Sequence, residues 1–130
     1  MLFRSAFARG VGLDATQALA IMRAGPAYSR IMDSKGEKML TGDFTPEARL
    51  SQHLKDVRLI VEHGRAAGLP MTLSATHREI LETAEAAGLG ALDNSALIRV
   101  LDGSLAALSP ATNGSAALLP PPPAPLAAPP

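Results

Sequence analysis

The 130-residue chain is long enough for one domain with a modest hydrophobic core, and its few aromatic residues require that core to be built from aliphatic side chains and Met. Its 12 Lys and Arg residues balance its 12 Asp and Glu residues, so the net charge does not predict nucleic acid or an anionic membrane as a partner. The lack of Cys excludes disulfides, thiolate metal sites and a Cys nucleophile, and no apolar run approaches the length of a membrane-spanning helix.

The first part of the chain predicts two short helices. A helix over residues 1–9 ends at Gly10. Asp14 or Thr16 can cap a second helix, which ends at the Gly25-Pro26 pair. The apolar positions of this second helix are Leu19, Ile21 and Met22.

A third helix is predicted over residues 28–40, and Gly42 ends it. Gly36 lies within this run, and a break near it is left open as an alternative. A loop follows at residues 43–46, because the residue before Pro46 avoids the α region. The apolar positions of the third helix are Ile31, Met32 and Met39.

The longest helix is predicted over residues 50–67. Its apolar residues recur at steps of four, three, four and three, which places them on one face of a helix. These residues are Leu50, Leu54, Val57, Val61 and Gly64. We expect Ile60 to widen the apolar face, and Gly68 and Pro70 to end the helix.

Two further helices complete the predicted fold. One covers residues 71–87 and ends at Gly88, and the last is capped by Asp93 or Ser95 and reaches Leu101. The apolar face of the first of these two helices comprises Leu73, Ile80, Leu81 and Ala84. Because no useful stretch alternates with period two, we predict an all-α bundle of five or six helices.

The composition changes at the end of the chain, where Ser, Ala, Gly, Asn and Pro replace the periodic pattern. Prolines fix φ and remove backbone donors, so this segment can form polyproline II but no packed element. We therefore predict a helical domain at residues 1–102 and a disordered tail at residues 103–130. The alternative is a polyproline ligand for an aromatic groove, although no Arg or Lys flanks the prolines.

The three histidines, His53, His63 and His77, are the residues that invite a metal or acid–base interpretation. Their spacing fits no ligand motif, so we predict no metal site. The chain also contains no serine elbow and no glycine-rich phosphate loop after a strand.

Four segments in order carry a family resemblance: residues 39–46, 50–62, 67–71 and 88–95, within a matching region of residues 6–101. Together they resemble the C-terminal helical domain of the β-hydroxyacid dehydrogenases, a family that includes 3-hydroxyisobutyrate dehydrogenase and tartronate semialdehyde reductase. The resemblance implies the helical fold of 6-phosphogluconate dehydrogenase-like proteins, with NAD or NADP as cofactor.

The resemblance also implies a site on the longest helix. Lys55 and Asp56 match a Lys-Asp pair that faces the interdomain cleft in the family, where the lysine contacts the cofactor and the aspartate lies on the substrate side. The alternative is two solvated surface charges, Lys55 with its stem along apolar surface and Asp56 paired with a nearby arginine. The family's aromatic residue after the proline is replaced by Glu47-Ala48, although Phe44 precedes the proline and can fill some of that volume.

The family's general-acid lysine and nucleotide-binding fold have no match in this sequence, so we predict no catalytic residue here. We expect part of an NAD(P)-dependent oxidoreductase for a small β-hydroxy acid or semialdehyde, inactive alone and homo-oligomeric. The alternatives are a non-catalytic dimerisation module and an adaptor that presents its proline-rich tail. We expect a cytoplasmic location, with the mitochondrial matrix as the alternative because residues 1–9 resemble a presequence.

Overall fold

A computed structural model describes residues 1–105, and these residues form helices joined by short turns. Within residues 1–105 the only β structure is one isolated bridge between Arg49 and Asp93. The elements in chain order are α1 (Leu2–Gly10), α2 (Ala15–Ala24), α3 (Ile31–Thr41), α4 (Leu50–Ala66), α5 (Thr72–Ala86), a 3-10 turn (Asn94–Leu97) and α6 (Ile98–Leu101). The all-α prediction is confirmed. Most of the predicted tail lies outside the described residues.

The main core lies between α4 and α5. The predicted face of α4 is buried, as the periodicity requires, and it packs against the buried Leu81 and Ala84 of α5. Gly64 ends this face at a close approach, because a Cβ added there would overlap the side chain of Met71. The buried residues of α4 are Leu50, Leu54, Val57 and Val61.

Four residues at predicted apolar helix positions are exposed, and one of them is Ile31 in the first turn of α3. Ile60 does not widen the face of α4, because α5 covers only the narrower stripe. Leu73 is 86% exposed in the first turn of α5, and Ile21 is exposed on α2, where Leu19 is the buried residue. Periodicity identified the helices but did not give the width of the contact made by each neighbour.

The third helix begins later than predicted, and of the alternatives at Gly36 the unbroken helix is found. It begins at Ile31 because residues before it form a turn, in which the Tyr28 amide donates to the Gly25 carbonyl at 3.1 Å. It continues through Gly36 without a break. A Cβ at Gly36 would lie 2.8 Å from both Cδ atoms of Leu19, so this glycine allows α2 and α3 to pack closely.

The predicted helix ends are largely confirmed. Asp14 caps α2 by accepting a hydrogen bond from the Gln17 amide at 2.7 Å. Gly42 and Gly68 adopt φ values of 75°, the left-handed conformation that follows many helices. Among residues 1–105, no helix is long and apolar enough to cross a membrane.

A second cluster joins the two ends of the domain. Met39 and Phe44 pack with Ala96 and Ile98, and residues of α1 cover them. Arg9 of α1 also forms an ion pair with Asp102 just after α6, with 2.7 Å between Nη1 and Oδ2. The loop that precedes α4 is therefore held between the first and last helices.

Candidate functional site

Lys55 and Asp56 project from the solvent side of α4, between the buried residues Leu54 and Val57. Their side chains are 69% and 57% exposed, and Lys55 Nζ lies 3.9 Å from Asp56 Oδ1. A contact of this length between exposed groups restrains neither side chain strongly. The Lys55 ammonium can therefore turn toward an anionic or hydroxyl-bearing partner above this face of the helix.

A second Lys-Asp pair was not identified from the sequence, although Asp93 was predicted as a cap. Lys35 Nζ lies 2.7 Å from Asp93 Oδ2, and the two side chains are 8% and 0% exposed. Oδ2 also accepts hydrogen bonds from the amides of Glu47 at 3.0 Å and Ala48 at 3.3 Å. Oδ1 accepts from both the amide and the hydroxyl of Ser95, which confirms the predicted cap.

The position of Lys35 gives a signal that could have identified it as a buried lysine, although not its partner. Lys35 lies three residues after Met32 and four before Met39, both of which are buried on the same helix. A lysine at this spacing falls within the buried stripe of α3. Such a lysine requires a carboxylate partner, because an uncompensated charge in a core is strongly unfavourable.

The environment of Asp93 changes its ionisation. Burial raises the pKa of the Asp93 carboxyl, but the hydrogen bonds from Lys35, Ser95 and the Glu47 amide outweigh burial and bring the pKa far below its ordinary value. Asp93 is therefore a carboxylate at neutral pH. At neutral pH the buried pair is an ionic contact between α3 and the turn before α6.

Backbone hydrogen bonds extend this contact to the start of α4. The Asp93 amide donates to the Phe44 carbonyl at 2.9 Å, and the Leu50 amide donates to the Leu92 carbonyl at 2.9 Å. The two chain segments around residues 44–50 and 89–95 are thus tied side by side. This tie sets where α4 begins, and so it sets the position from which Lys55 and Asp56 project.

Phe44 lies in the second core cluster, and the Arg99 guanidinium lies 4.7 Å from the centre of its ring. The preceding Asp43 stabilises this loop by accepting hydrogen bonds from the amide and hydroxyl of Thr45. These hydrogen bonds lower the pKa of the Asp43 carboxyl. Phe44 thus contributes to packing of the domain, and only 6% of it is exposed.

A partly open cavity of about 210 Å³ lies beside the buried pair. Lys35 and His53 provide its ionisable groups, whereas most of its surface is apolar. Its lining residues are Met1, Leu2, Ile31, Lys35, Met39, His53, Asn94, Ser95 and Leu97. His53 lies two residues before Lys55, so the cavity is next to the part of α4 that carries Lys55.

The fold brings together two histidines that are distant in sequence. The ring centroids of His53 on α4 and His77 on α5 are 5.1 Å apart, with an angle of 58° between the ring planes. In the part of the chain from residue 1 to 105, no group of three or more His, Asp or Glu side chains could hold a metal ion. His63 lies exposed further along α4.

Comparison with known proteins identifies the family to which this chain belongs. A protein family described as the NAD-binding domain of NADP-dependent 3-hydroxyisobutyrate dehydrogenase matches residues 5–101. That match covers most of the chain and includes all six α-helices in whole or in part. The chain therefore belongs to this NAD-binding family, as its resemblance to the β-hydroxyacid dehydrogenases implied.

Individual relatives agree with this assignment. The chain is 33% identical to 2-hydroxy-3-oxopropionate reductase of Escherichia coli K12 over 96 residues, which are 74% of this chain and 33% of that enzyme. It is 27% identical to L-threonate dehydrogenase of the same strain over 94 residues, which are 72% of this chain and 30% of that enzyme. The chain spans about a third of the length of these relatives.

A solved structure supports the fold. The crystal structure of 3-hydroxyisobutyrate dehydrogenase from Salmonella typhimurium superimposes with a TM-score of 0.70 at 24% identity. The superposition covers 74% of this chain and 34% of the Salmonella chain. At this identity the likeness shows a shared helical architecture.

Proposed function

We propose that this chain is the helical domain of an NAD(P)-dependent β-hydroxyacid oxidoreductase, which closes on cofactor and substrate in the complete enzyme. Membership of the NAD-binding family supports the cofactor, and relatives named as reductases and dehydrogenases of small hydroxy acids support the substrate class. The substrate of this proposal is a small β-hydroxy acid or semialdehyde. The proposal includes a cytoplasmic location, homo-oligomerisation and a folded helical domain.

The observation that carries the proposal is the Lys55-Asp56 pair on a firmly positioned helix. Lys55 Nζ has only a 3.9 Å contact with the adjacent carboxylate, so its three donors fit a cofactor's phosphate, ribose or carboxamide oxygens. Asp56 is equally exposed and can accept a hydrogen bond from the substrate side of a cleft. The cofactor, when bound, would take up or supply the hydride.

This chain's own contribution to such a reaction would be binding and positioning. Within residues 1–105 there is no strand followed by a glycine-rich turn and helix, the arrangement that holds a dinucleotide pyrophosphate. The described part of the chain would therefore act together with a nucleotide-binding domain. Lys55 would hold the cofactor, while the Lys35-Asp93 pair would keep the start of α4 in place.

The test uses a hybrid enzyme, in which this chain replaces the matching third of E. coli 2-hydroxy-3-oxopropionate reductase. We expect the isolated chain to show no turnover with NAD or NADP and the hybrid to be active. In the hybrid, Lys55→Ala should weaken cofactor binding about tenfold to a hundredfold, because one charge-assisted hydrogen bond worth roughly 1.5–3 kcal/mol is lost. Fluorescence titration with NADH and NADPH measures the dissociation constants.

The matched control is Arg65→Ala, which removes a positive charge from an exposed position on the same helix. Cofactor binding should change little in this control. Asp56→Asn should affect cofactor affinity less than Lys55→Ala and the KM for substrate more. If the hybrid is active and Lys55→Ala leaves its cofactor affinity unchanged, Lys55 is a surface charge with no role in cofactor binding.

A second candidate is a non-catalytic dimerisation module. The observation in its favour is the pair of exposed phenylalanines, Phe3 and Phe7, one helical turn apart on α1. Analytical ultracentrifugation of the wild-type chain and a Phe3→Ser/Phe7→Ser variant tests whether this face joins two copies. A dimer lost in that variant, together with an inactive hybrid enzyme, would favour this candidate over the oxidoreductase domain.

A further inference from the structure

His53 and His77 are held next to each other by the main core of the domain. His53 precedes the buried Leu54 on α4, and His77 lies one helical turn before the buried Leu81 on α5. Leu54 and Leu81 belong to the same core cluster. Because close-packed cores resist displacement, the fold fixes the separation of the two backbone positions that carry these imidazoles.

The observed separation suits two imidazoles that share one tetrahedral metal ion. A Zn–N bond of about 2.1 Å, with the ring centre about 1.1 Å beyond the nitrogen, puts two such ring centres about 5 Å apart at a tetrahedral angle. The centroids of His53 and His77 are 5.1 Å apart. Sharing one ion requires rotation about the side-chain bonds that directs one nitrogen of each ring to a common point.

The ring nitrogens are available for such a bond. Among residues 1–105, neither imidazole donates or accepts a hydrogen bond with another protein group, and both residues are half-buried. Burial lowers the pKa of His77 below its ordinary value of 6.5, and the neighbouring His53 lowers it further. His77 is therefore neutral at pH 7, the form in which imidazole binds a metal.

Each histidine also lines a cavity of its own. His53 lines the cavity of about 210 Å³ described above, and His77 lines a second, more open cavity of about 330 Å³. Ser74 and Thr76 lie in the lining of this second cavity and supply hydroxyl groups near its surface. Solvent water can therefore reach each imidazole and supply the metal ligands that the protein does not.

We propose that His53 and His77 form a two-histidine site for a divalent transition metal of the Zn²⁺, Ni²⁺ and Cu²⁺ class, with water completing the coordination. The ion bridges α4 and α5 near the segment that carries Lys55. Two nitrogen ligands and no carboxylate suit these ions and disfavour Mg²⁺ and Ca²⁺, which prefer oxygen. The site stabilises the helix pair and is independent of the proposed oxidoreductase function.

The experiment titrates the full chain with ZnCl₂ at pH 7.5 by calorimetry and repeats urea unfolding with and without Zn²⁺. The wild-type chain should bind one ion and unfold at higher urea concentration when Zn²⁺ is present, because the ion binds the folded state preferentially. His53→Gln and His77→Gln should each weaken binding about tenfold or more, since even groups that only orient a metal ligand are worth that much. MgCl₂ should produce no shift.

His63→Gln is the matched control, because His63 lies on the same helix, exposed and outside the pair. This control should bind Zn²⁺ as the wild-type chain does. Electron paramagnetic resonance of the wild-type chain with one equivalent of Cu²⁺ should show two imidazole nitrogens on the ion, a result that requires no variant to fold. A wild-type chain without Zn²⁺ stabilisation, an equal loss in His63→Gln, or a spectrum with a single nitrogen would each overturn the proposal.

Discussion

The domain contains two Lys-Asp pairs whose surroundings are opposite. Lys35 and Asp93 are buried and 2.7 Å apart, and they come from distant parts of the chain. Lys55 and Asp56 are adjacent in sequence, exposed and 3.9 Å apart. The buried pair is surrounded by hydrogen-bond donors that fix its geometry, whereas the exposed pair is free to meet a ligand. The same two residue types thus serve structure at one place and are suited to binding at the other.

The largest effect on stability is expected when one member of the buried pair is removed. Asp93→Ala leaves the Lys35 ammonium without its buried partner and removes the acceptor for the amides of Glu47 and Ser95. We expect a loss of about 3–5 kcal/mol in the free energy of unfolding. Urea unfolding followed by circular dichroism measures it.

The double variant Lys35→Met/Asp93→Ala sharpens this result. It removes both charges, so it should recover part of the stability lost in Asp93→Ala. If Asp93→Ala unfolded at the same urea concentration as the wild-type chain, the buried pair would have no role in stability.

Acid should remove the stabilising contribution of the buried pair. The pKa of Asp93 is depressed in the folded state, so its stabilising contribution is present above the ordinary pKa of 3.8 and is lost as pH falls toward the folded value. Each pH unit below 3.8 should remove up to about 1.4 kcal/mol of the stability that Asp93 contributes.

Urea unfolding of the wild-type chain and Asp93→Asn at pH 7, pH 4 and pH 2.5 tests this dependence. The stability difference between the two chains should be largest at pH 7 and should shrink at pH 2.5. Asp102 also has a depressed pKa: burial raises it, and hydrogen bonds from Ser104 and Arg9 outweigh burial. Asp93→Asn retains Asp102, so a difference that stayed constant with pH would exclude Asp93 as the source.

The smallest effect on stability is expected at the exposed pair. Lys55→Ala and Asp56→Asn should each change the free energy of unfolding by no more than about 0.5 kcal/mol, because exposed ion pairs contribute little. The same urea experiment measures both variants, with Asp93→Ala as the large reference effect. A loss above about 1 kcal/mol in Lys55→Ala would show that this lysine has a structural role.

Local sequence patterns were sufficient for most of the fold. The apolar spacing along α4 predicted its buried face, and the glycines and prolines predicted the helix ends, because both depend on residues close together in the chain. Local patterns failed for the outward-facing Ile60 and Leu73. Whether an apolar position is covered depends on which neighbouring helix packs there, and helix periodicity contains no such information.

The candidate site also contains residues that the sequence predicted and contacts that it did not. The adjacent Lys55-Asp56 pair on a helix was predicted from the sequence and its family resemblance, and its binding role remains a prediction. The sequence did not show that Lys35 meets Asp93, because these residues are 58 positions apart. It also did not show that His53 meets His77, because their contact depends on how α4 packs against α5. The sequence by itself determined the helices, most of their ends and the family resemblance. Only the tertiary structure decided which charged and imidazole side chains meet, because that depends on how the helices pack.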